Sequence, residues 1–380
     1  MPEFAYELMD TDRQKANIKV IGIGGGGGNA VSHMASQGIQ GVDFLCANTD
    51  TQALAATGVE NKLQIGINET KGLGSGSKPE KGRASAQEDR ERIASAIKGT
   101  GEEKTNMLFI AAGLGGGTGT GASPVVAEIA QELEILTVAV VTTPFSWEGL
   151  TRVECADKGI EDLRKCVDAL ILIPNDKLRS LGKETTMIDA FGAANDVLLN
   201  SVQGIAELIT IPGLINLDFA DVETVMTASG RGIMGVGLAS GHDRGRDAIE
   251  RAIQSPLLAD VNLEGARGIL LNITAGSDLT VGEFEEIGKI VEGYASEEAI
   301  TVVGTALDPS MQDSIKVTVV ATGLDPKIEN QSEVVTDNKI DILDVPITKR
   351  NKDLFEDLYS EEEEEIDILD VPSFLRRTQA

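Results

Sequence analysis

Short apolar runs alternate with helical patterns along the first half of the chain. The apolar runs predict strands at 18–23, 42–47, 107–112, 136–142 and 169–173. Helical periodicity falls between them, at 29–36, 87–97 and 124–133. Buried strands that alternate with helices are typical of a parallel sheet covered on both faces. The pattern therefore predicts an α/β domain over residues 18–185.

A long apolar stripe begins at residue 186. Its side chains recur in steps of three and four, at Met187, Phe191, Ala194, Leu198, Val202, Ile205 and Ile209. Thr186 and Asp189 resemble a capping box, and Pro212 followed by glycine favours a stop. At ~1.5 Å per residue, about 24 residues span roughly 36 Å. We expect this segment, 186–213, to run through the middle of the molecule and to join two domains.

The remaining segments have a different pattern of predicted strands and helices from the first half. Strand patterns at 268–274, 300–307 and 315–322, with a helix at 281–294, predict a smaller α+β domain over 214–325. Residues 1–17 are expected to form a flexible leader. Residues 326–365 are polar and acidic, and such a segment buries too little apolar surface to offset chain entropy. They predict a disordered linker before a C-terminal peptide at 366–380.

An exact repeat lies in this tail. The heptapeptide IDILDVP occurs at 340–346 and again at 366–372. One interpretation is a duplication without function. The other is two copies of a docking peptide, because apolar residues in an acidic, disordered tail usually meet a partner.

Composition narrows the function classes. The net charge of −28 argues against a nucleic-acid partner, which requires a basic surface. A nucleotide remains compatible, because backbone N–H groups hold phosphate without lysine. Three scattered cysteines favour a reducing compartment, and two histidines make a zinc site or a Ser-His-Asp triad improbable. With no signal-peptide pattern or long apolar run, we expect a cytoplasmic protein.

Two glycine-rich segments carry the candidate chemistry. Residues 24–29 and 115–121 each follow a predicted strand and precede a predicted helix, the arrangement that cradles phosphate. Gly22, Gly24 and Gly27 also satisfy G-x-G-x-x-G, and Asp43 or Asp50 would complete a dinucleotide fingerprint. The second segment, with the hydroxyl groups of Thr118 and Thr120, instead favours a nucleoside di- or triphosphate that is bound by both glycine-rich segments. The Walker lysine pattern is absent from the sequence.

The sequence of the second segment is also specific to a family. GGGTGTG at 115–121 resembles the signature of the tubulin and FtsZ superfamily. Resemblance to the FtsZ family of bacterial, tubulin-like cell-division GTPases extends through most of 18–325. It includes NTD at 48–50, KGLGSGSKPEKG at 71–82, TPFSWEG at 143–149, IPNDKL at 173–178, DAFGAANDV at 189–197 and NLDFADV at 216–222. The ending DVPSFLRR resembles that family's C-terminal peptide.

The resemblance implies a tubulin/FtsZ-like fold, GTP or GDP bound with Mg²⁺, GTP hydrolysis, and head-to-tail polymerisation into a division ring at midcell. The phosphate-binding residues it implies are Gly25, Gly26, Gly27, Gly28, Asn29, Gly116, Gly117 and Thr118. Loop 71–82 would cover the γ-phosphate side, and Glu148 and Arg152 would contact the ribose and phosphates. No protein side chain is assigned as a metal ligand.

The same resemblance places Asn175, Phe191 and Asp196 against guanine. The chemistry agrees for Asp196, because a carboxylate accepts hydrogen bonds from guanine N1–H and N2–H, which adenine does not offer. Without the resemblance, Asp196 would be interpreted as a solvated helix carboxylate and Phe191 as a core residue on the apolar stripe.

Residues 216–221 form the expected catalytic loop. Asn216, Asp218 and Asp221 would position and polarise the water that attacks the γ-phosphate. The alternative is a turn with two solvated acids. Helix rise from 196 to 210 is about 21 Å, so acids beyond the helix would serve the nucleotide of a neighbouring subunit rather than their own. Such a heterologous contact builds filaments.

Further partners are expected in the tail. Adaptor and regulator proteins would bind residues 367–377 and the copy at 341–346, so that contact with the membrane is only indirect. Two other hypotheses remain: a nicotinamide-dependent oxidoreductase that uses the 22–27 fingerprint, and a nucleotide-switched scaffold with negligible turnover. The oxidoreductase hypothesis leaves the 115–121 segment and the 216–221 acids unexplained.

Overall fold

One mixed sheet of ten strands organises the part of the chain that the structure describes. The structure is a computed structural model that describes residues 16–99, 104–181, 186–211, 213–215, 217–227, 231–258, 265–296 and 298–324. Most of the predicted leader, the linker 326–365 with the first repeat copy, and the C-terminal peptide 366–380 lie outside these ranges, as does Asn216.

The strands are β1 (Asn17–Ile23), β2 (Val42–Asn48), β3 (Asn61–Gln64), β4 (Thr105–Gly113), β5 (Leu136–Thr143), β6 (Ala169–Pro174), β7 (Arg231–Ser240), β8 (Gly268–Ala275), β9 (Ile300–Leu307) and β10 (Ser314–Leu324). The helices are α1 (Gly24–Ser36), α2 (Thr51–Ala56), α3 (Ile67–Thr70), α4 (Pro79–Glu88), α5 (Arg90–Lys98), α6 (Thr118–Glu132), α7 (Leu150–Leu163), α8 (Met187–Thr210), α9 (Phe219–Met226), α10 (Arg244–Ile253) and α11 (Val281–Glu292).

The first half of the sheet is parallel, as the strand and helix alternation predicts. Its order is β3-β2-β1-β4-β5-β6, so the chain reverses its direction of winding between β1 and β4. Separate apolar cores cover the two faces. Val31 of α1 and Val202 of α8 belong to one core, and Val125 of α6 and Ile160 of α7 to the other. Cores on both faces explain why these strands read as continuous apolar runs.

The second half continues the same sheet. β6 pairs with β7 in parallel, Leu170 with Arg231 and Ile171 with Gly232. β7, β10 and β8 then pair antiparallel, and β9 is added parallel to β8. The predicted strands and the helix 281–294 are confirmed within a few residues, whereas β7, α9 and α10 were not predicted. The α+β half is therefore joined to the parallel half by strand pairing as well as by a helix.

The long central helix is confirmed as α8. Thr186 caps it by accepting the Asp189 N–H, and Asp189 accepts the Thr186 N–H in return, which completes the predicted capping box. α8 packs on β5 and β6 in the parallel half and on β8 and β9 in the other half. Within the described ranges, neither α8 nor any other helix has both the length and the apolarity needed to cross a membrane.

Helix boundaries near glycine differ from the sequence prediction. The predicted helices at 29–36 and 124–133 begin five and six residues earlier, at Gly24 and Thr118, and Pro124 lies inside α6. The predicted helix 87–97 is two helices, α4 and α5, which meet at Asp89. Glycine has a low intrinsic helix propensity, so tertiary packing sets these starts and not local preference.

Candidate nucleotide-binding cleft

A cleft of about 410 Å³ opens at the carboxyl ends of β1, β4, β5 and β6. β1 and β4 are the neighbours between which the winding reverses. In open α/β sheets, ligands bind in the crevice outside the strand ends at such a point. The cleft lining is Gly25, Gly26, Asn29, Ser75, Gly113, Leu114, Gly116, Gly117, Thr118, Gly119, Thr142, Pro144, Glu148, Arg152, Asn175, Phe191, Ala194 and Asn195.

A larger groove of about 730 Å³ lies elsewhere, between α10 and α11. Its walls are the sides of two helices and carry mainly charged side chains such as Arg246, Glu250 and Lys289. It is lined by neither glycine-rich segment, so we place the candidate site in the smaller cleft.

The first glycine-rich segment is the opening of α1, and its glycines have two different surroundings. A Cβ on Gly25 would meet open space, whereas a Cβ on Gly27 would lie 2.2 Å from the carbonyl oxygen of Ala111 in β4. Gly25, Gly26 and Asn29 line the cleft, but Gly27 and Gly28 are buried outside its lining. The fivefold glycine run therefore combines ligand access with close packing of α1 on the sheet.

The second segment is the opening of α6. Gly116 faces open space, and a Cβ on Gly117 would lie 2.2 Å from Ser75 Oγ. Thr118 Oγ1 lies 2.6 Å from Thr49 Oγ1 and 3.0 Å from Ser75 Oγ. The Ser75 contact holds the predicted 71–82 loop against the first turn of α6 and brings it to the cleft, although residues 79–82 of that segment are the opening turn of α4.

Both helix N-termini thus open on one cleft. The first turn of each helix has backbone N–H groups without intrahelical partners, and the helix dipole adds partial positive charge there. Among the described lining residues, Arg152 is the single side chain with a positive charge. The arrangement suits an anion with several phosphate groups, bound mainly by backbone N–H groups.

The opposite side of the cleft is suited to a planar base. Asn175 is buried, and its Oδ1 atom has no hydrogen-bond partner among the described residues. Phe191 is 44% exposed and lies edge-on to Phe145, with 5.7 Å between ring centroids. Trp147 also stacks on Phe145, with 5.2 Å between ring centroids. An unpaired buried amide oxygen beside an exposed aromatic face fits a base that donates hydrogen bonds and stacks.

Asp196 lies beside this end of the cleft without lining it. Its neighbour Asn195 lines the cleft, whereas the Asp196 carboxylate contacts His33 of α1, with 2.7 Å between Oδ1 and Nε2. The contact of Asp196 with a base stays a prediction.

Glu148 and Arg152 reach the cleft together. The Arg152 guanidinium donates to Glu148 Oε2 at 2.5 Å, and Glu148 Oε1 accepts the Phe145 N–H at 3.0 Å. Glu148 thereby closes the 3-10 turn at Ser146–Glu148 and also holds the one cationic side chain of the described lining. This placement is compatible with contacts to ribose and phosphate, which remain a prediction.

The candidate catalytic acids lie apart from the cleft. Asp218 is the N-cap of α9, Asp221 is in its first turn, and both are exposed. Neither belongs to the cleft lining. Asn216 lies outside the described residues.

Other sequence candidates have structural explanations. Asp50 caps α2 by accepting the N–H groups of Gln52 and Ala53 at 2.8 and 3.2 Å, and Asp43 lies near the amino end of β2. Neither completes a dinucleotide fingerprint at the cleft. Thr142, Ala194 and Asn195 line the cleft but were not predicted individually. The position of Thr142 at the carboxyl end of a parallel strand was the signal that could have identified it.

In the described ranges, no group of three or more His, Cys, Asp or Glu side chains is arranged to hold a metal. Ser75 and Thr118 line the cleft beside its glycines, and their hydroxyl oxygens would suit Mg²⁺ that is coordinated mainly by phosphate oxygens and water.

Comparisons with known proteins show which family the sequence resembles. The sequence model of the Tubulin/FtsZ family, GTPase domain, matches residues 17–183, and that of the FtsZ family, C-terminal domain, matches residues 230–325. The chain is 51% identical over 388 residues to the cell division protein FtsZ of Coxiella burnetii, covering 98% of this chain and 99% of the relative. It is 56% identical over 313 residues to that of Pseudomonas putida, covering 82% and 77%.

Solved structures give the same result for the fold. An FtsZ dimer from M. jannaschii superposes with a TM-score of 0.77 at 41% identity, covering 82% of this chain and 89% of that one. A GTPγS-bound protofilament of CetZ2 from Haloferax volcanii superposes with a TM-score of 0.70, covering 82% and 94%. At 23% identity, the second similarity concerns the fold alone.

Proposed function

The chain belongs to the FtsZ family of tubulin-like proteins, and from that premise we propose that it is a GTP-hydrolysing cell-division protein that polymerises head to tail. The observation that carries the proposal is the convergence of two glycine-opened helix N-termini, those of α1 and α6, on one cleft. A nucleoside di- or triphosphate matches that arrangement better than a dinucleotide, which needs a single phosphate loop.

Each part of the cleft has a role toward GTP or GDP. The backbone at Gly25, Gly26 and 116–118, with Asn29, binds phosphates, and the 71–82 loop reaches the γ-phosphate through Ser75. Asn175, Phe191 and Asp196 recognise guanine, and Glu148 with Arg152 orients the ribose and phosphates. Mg²⁺ bound with the nucleotide supplies neutralisation of phosphate charge.

Hydrolysis is completed by the next subunit. Asp196 and the end of α8 at Thr210 are separated by about 21 Å of helix. Asp218 and Asp221 follow that end and are solvent-exposed in the single chain. We assign them, with Asn216, to the nucleotide of a neighbouring copy, where their carboxylates position the attacking water.

Two regions, one at the cleft and one at the catalytic loop, carry exposed apolar side chains for such a contact. Leu73 is 84% exposed and Ile188 83% exposed, and Trp147 and Leu150 are exposed as well; each lies within three residues of a cleft-lining residue in the sequence. Near the catalytic loop, Leu214 and Ile215 are exposed as well. Because the cleft region and the catalytic-loop region are different surfaces, a contact between them is heterologous and propagates as a filament.

Phosphate release and light scattering test this function together. With GTP, we expect both signals, and the specific rate of phosphate release should rise cooperatively with protein concentration because each site needs two subunits. GDP and NAD should give neither signal. A specific rate that does not change with concentration would contradict the site shared between subunits, and GTP binding with negligible turnover would favour the scaffold hypothesis.

The tail extends the proposal to adaptor proteins. We assign residues 367–377 as the docking peptide that places filaments at the division site, with the copy at 341–346 as a second site of lower affinity. The second copy alone continues as SFLRR, whereas the first continues as ITKR. Synthetic peptides that span each copy, titrated separately against membrane-associated division proteins, should bind the same partner with the second copy tighter. Binding by neither peptide would remove the tail from recruitment.

A further inference from the structure

His33 and Asp196 form a side-chain pair next to the base end of the cleft. His33 Nε2 lies 2.7 Å from Asp196 Oδ1, and the two residues are 163 positions apart in sequence. An ionised carboxylate only accepts hydrogen bonds, so Nε2 is the donor in this contact. At this length the bond is charge-assisted and stronger than a neutral one.

The pair connects α1 and α8, two of the helices that line the cleft. α1 and α8 pack on each other, and each contributes cleft-lining residues one turn or less from the pair. Asn29 precedes His33 by one helical turn, and Asn195 is adjacent to Asp196. The pair is partly exposed, with 29% of the His33 side chain and 59% of the Asp196 side chain accessible. Core packing therefore does not account for it.

We propose that His33 is a positioning residue for guanine recognition: it holds one oxygen of Asp196 so that the carboxylate is oriented before the base arrives. The inference rests on the proposed contact between Asp196 and guanine. Among the described residues, Asp196 Oδ2 has no hydrogen-bond partner, so it is available to a ligand. Because a carboxylate has about four lone-pair sites, Oδ1 also retains acceptor capacity beside His33.

Orientation matters most for a two-point contact. Guanine presents N1–H and the 2-amino group side by side, and both bonds form only when the carboxylate plane is aligned with the base. Hypoxanthine lacks the 2-amino group and makes one such bond, which a freely rotating carboxylate also supplies. Loss of the His33 donor should therefore weaken GDP binding more than IDP binding.

Equilibrium binding of GDP and IDP to the full chain, freed of nucleotide, tests the inference without hydrolysis. His33→Phe removes the donor with little change in volume, and His33→Gln retains a neutral donor. We expect His33→Phe to raise the Kd for GDP about threefold to tenfold and the Kd for IDP by less than about twofold. His33→Gln should restore most of the discrimination. If the Phe variant fails to fold, His33→Ser removes the same bond.

Three results separate the possible failures. If His33→Phe changes both Kd values equally, or tightens GDP binding, the positioning role is overturned, because His33 then acts through packing or draws Asp196 away from the base. In an Asp196→Ala background, His33→Phe should no longer alter the ratio of GDP to IDP affinity, and a persisting effect also overturns it. If Asp196→Ala alone leaves that ratio unchanged, the proposed guanine contact itself fails.

Discussion

At the scale of single residues, the cleft brings together side chains that no local pattern connects. Sequence motifs could identify Asn175 and Phe191 because each lies in a segment typical of the family, and both line the cleft. The partner of Asp196 could not be predicted, since His33 lies 163 positions away and the contact depends on how α1 packs on α8. The sequence gives the chemical type of each residue, whereas a contact between residues of two helices can be identified only once the fold is known.

Replacement of Asp196 by asparagine should change the preferred base. Xanthine has a 2-carbonyl group where guanine has an amino group, and an asparagine amide donates to that carbonyl while its oxygen accepts N1–H. We expect Asp196→Asn to weaken GDP binding by about tenfold or more and to favour XDP. Competition between the two nucleotides measures this, with Asp157→Asn on the exposed side of α7 as the control. An unchanged preference for GDP would exclude Asp196 from base recognition.

The cysteines differ in predicted reactivity. Burial raises the pKa of the Cys46 thiol to about 11, whereas Cys155 is partly exposed. Because the thiolate is the reactive form, iodoacetamide at pH 8 should modify Cys155 and leave Cys46 unmodified in the native protein. Mass spectrometry of the labelled peptides checks this, and denatured protein, in which both should react, is the control. Rapid native labelling of Cys46 would show that β2 opens readily.

At the scale of elements, strands and the central helix could be predicted, but the helix starts at glycine could not. Apolar runs and the capping box at Thr186 are local signals, and they mark β1, β4 and α8 correctly. α1 and α6 begin within glycine runs that disfavour helix by propensity alone. Those starts are fixed by close packing of backbone on backbone, which depends on neighbouring strands.

Two glycines in one helix should respond differently to the same substitution. Gly27→Ala places a methyl group against the Ala111 carbonyl oxygen, which lies 2.2 Å from the ideal Cβ position, and Gly25→Ala places it in open space. We expect Gly27→Ala to lower the free energy of unfolding by about 1–3 kcal/mol. Gly25→Ala should remain folded but bind GDP more weakly, because its methyl group enters the cleft. Thermal denaturation of each variant without nucleotide measures the stability, and a separate GDP titration measures the binding. Equal melting temperatures for the two variants would contradict the packing role of Gly27.

An ion cluster joins α10 to α11. The Arg244 side chain is 7% exposed and pairs with Glu283 at 2.7 Å and with Asp278 at 2.5 Å. Hydrogen bonding from Arg244 is the largest cause that lowers the pKa of both carboxyl groups. Glu283→Gln leaves the buried guanidinium without one of its charge partners, and should lower the free energy of unfolding by about 2 kcal/mol at pH 7.

The same pair gives a pH dependence with a defined sign. Because the pKa of Glu283 is lowered by folding, its contribution is complete above the ordinary value of 4.5 and is lost as the pH falls through the lowered value. Urea denaturation between pH 7 and pH 3 should show a smaller loss of stability for Glu283→Gln than for the wild type. Glu285→Gln, which removes an exposed pair with Lys289, is the control. Parallel curves for all three proteins would refute the linkage.

At the scale of the whole molecule, the sheet is more continuous than the sequence indicates. Alternation of strands and helices predicts the parallel half, and β-branched runs predict three strands of the other half. β7 has a glycine-interrupted sequence, RGIMGVGLAS, which weakens any strand pattern. Its pairing with β6 joins the halves, so the cleft and the acids of α9 belong to one framework connected by both sheet and helix.

If each hydrolysis site is shared between two subunits, two variants that each fail to hydrolyse GTP alone should hydrolyse it when they are mixed. Asp221→Ala retains the cleft and binds GTP but lacks a catalytic carboxylate, and Asp196→Asn retains the acids but prefers XTP. The test is to mix the two variants in equal amounts with γ-labelled GTP and unlabelled XTP, so that XTP keeps the Asp196→Asn variant assembled. In randomly ordered filaments, about half of the GTP-holding clefts face an intact acid loop, and labelled phosphate should be released at those junctions.

The outcome depends on where the acids act. If Asp221 served the nucleotide of its own chain, every GTP-holding cleft would lack its carboxylate and the mixture would release no more label than either variant alone. Co-sedimentation of both variants verifies that they assemble together, so absence of release from mixed filaments would refute the shared site. At a shared site, the release of label should scale with the product of the two variants' fractions. It should vanish when the second protein also carries Asp221→Ala. Both results together would identify the junction between subunits as the site of hydrolysis.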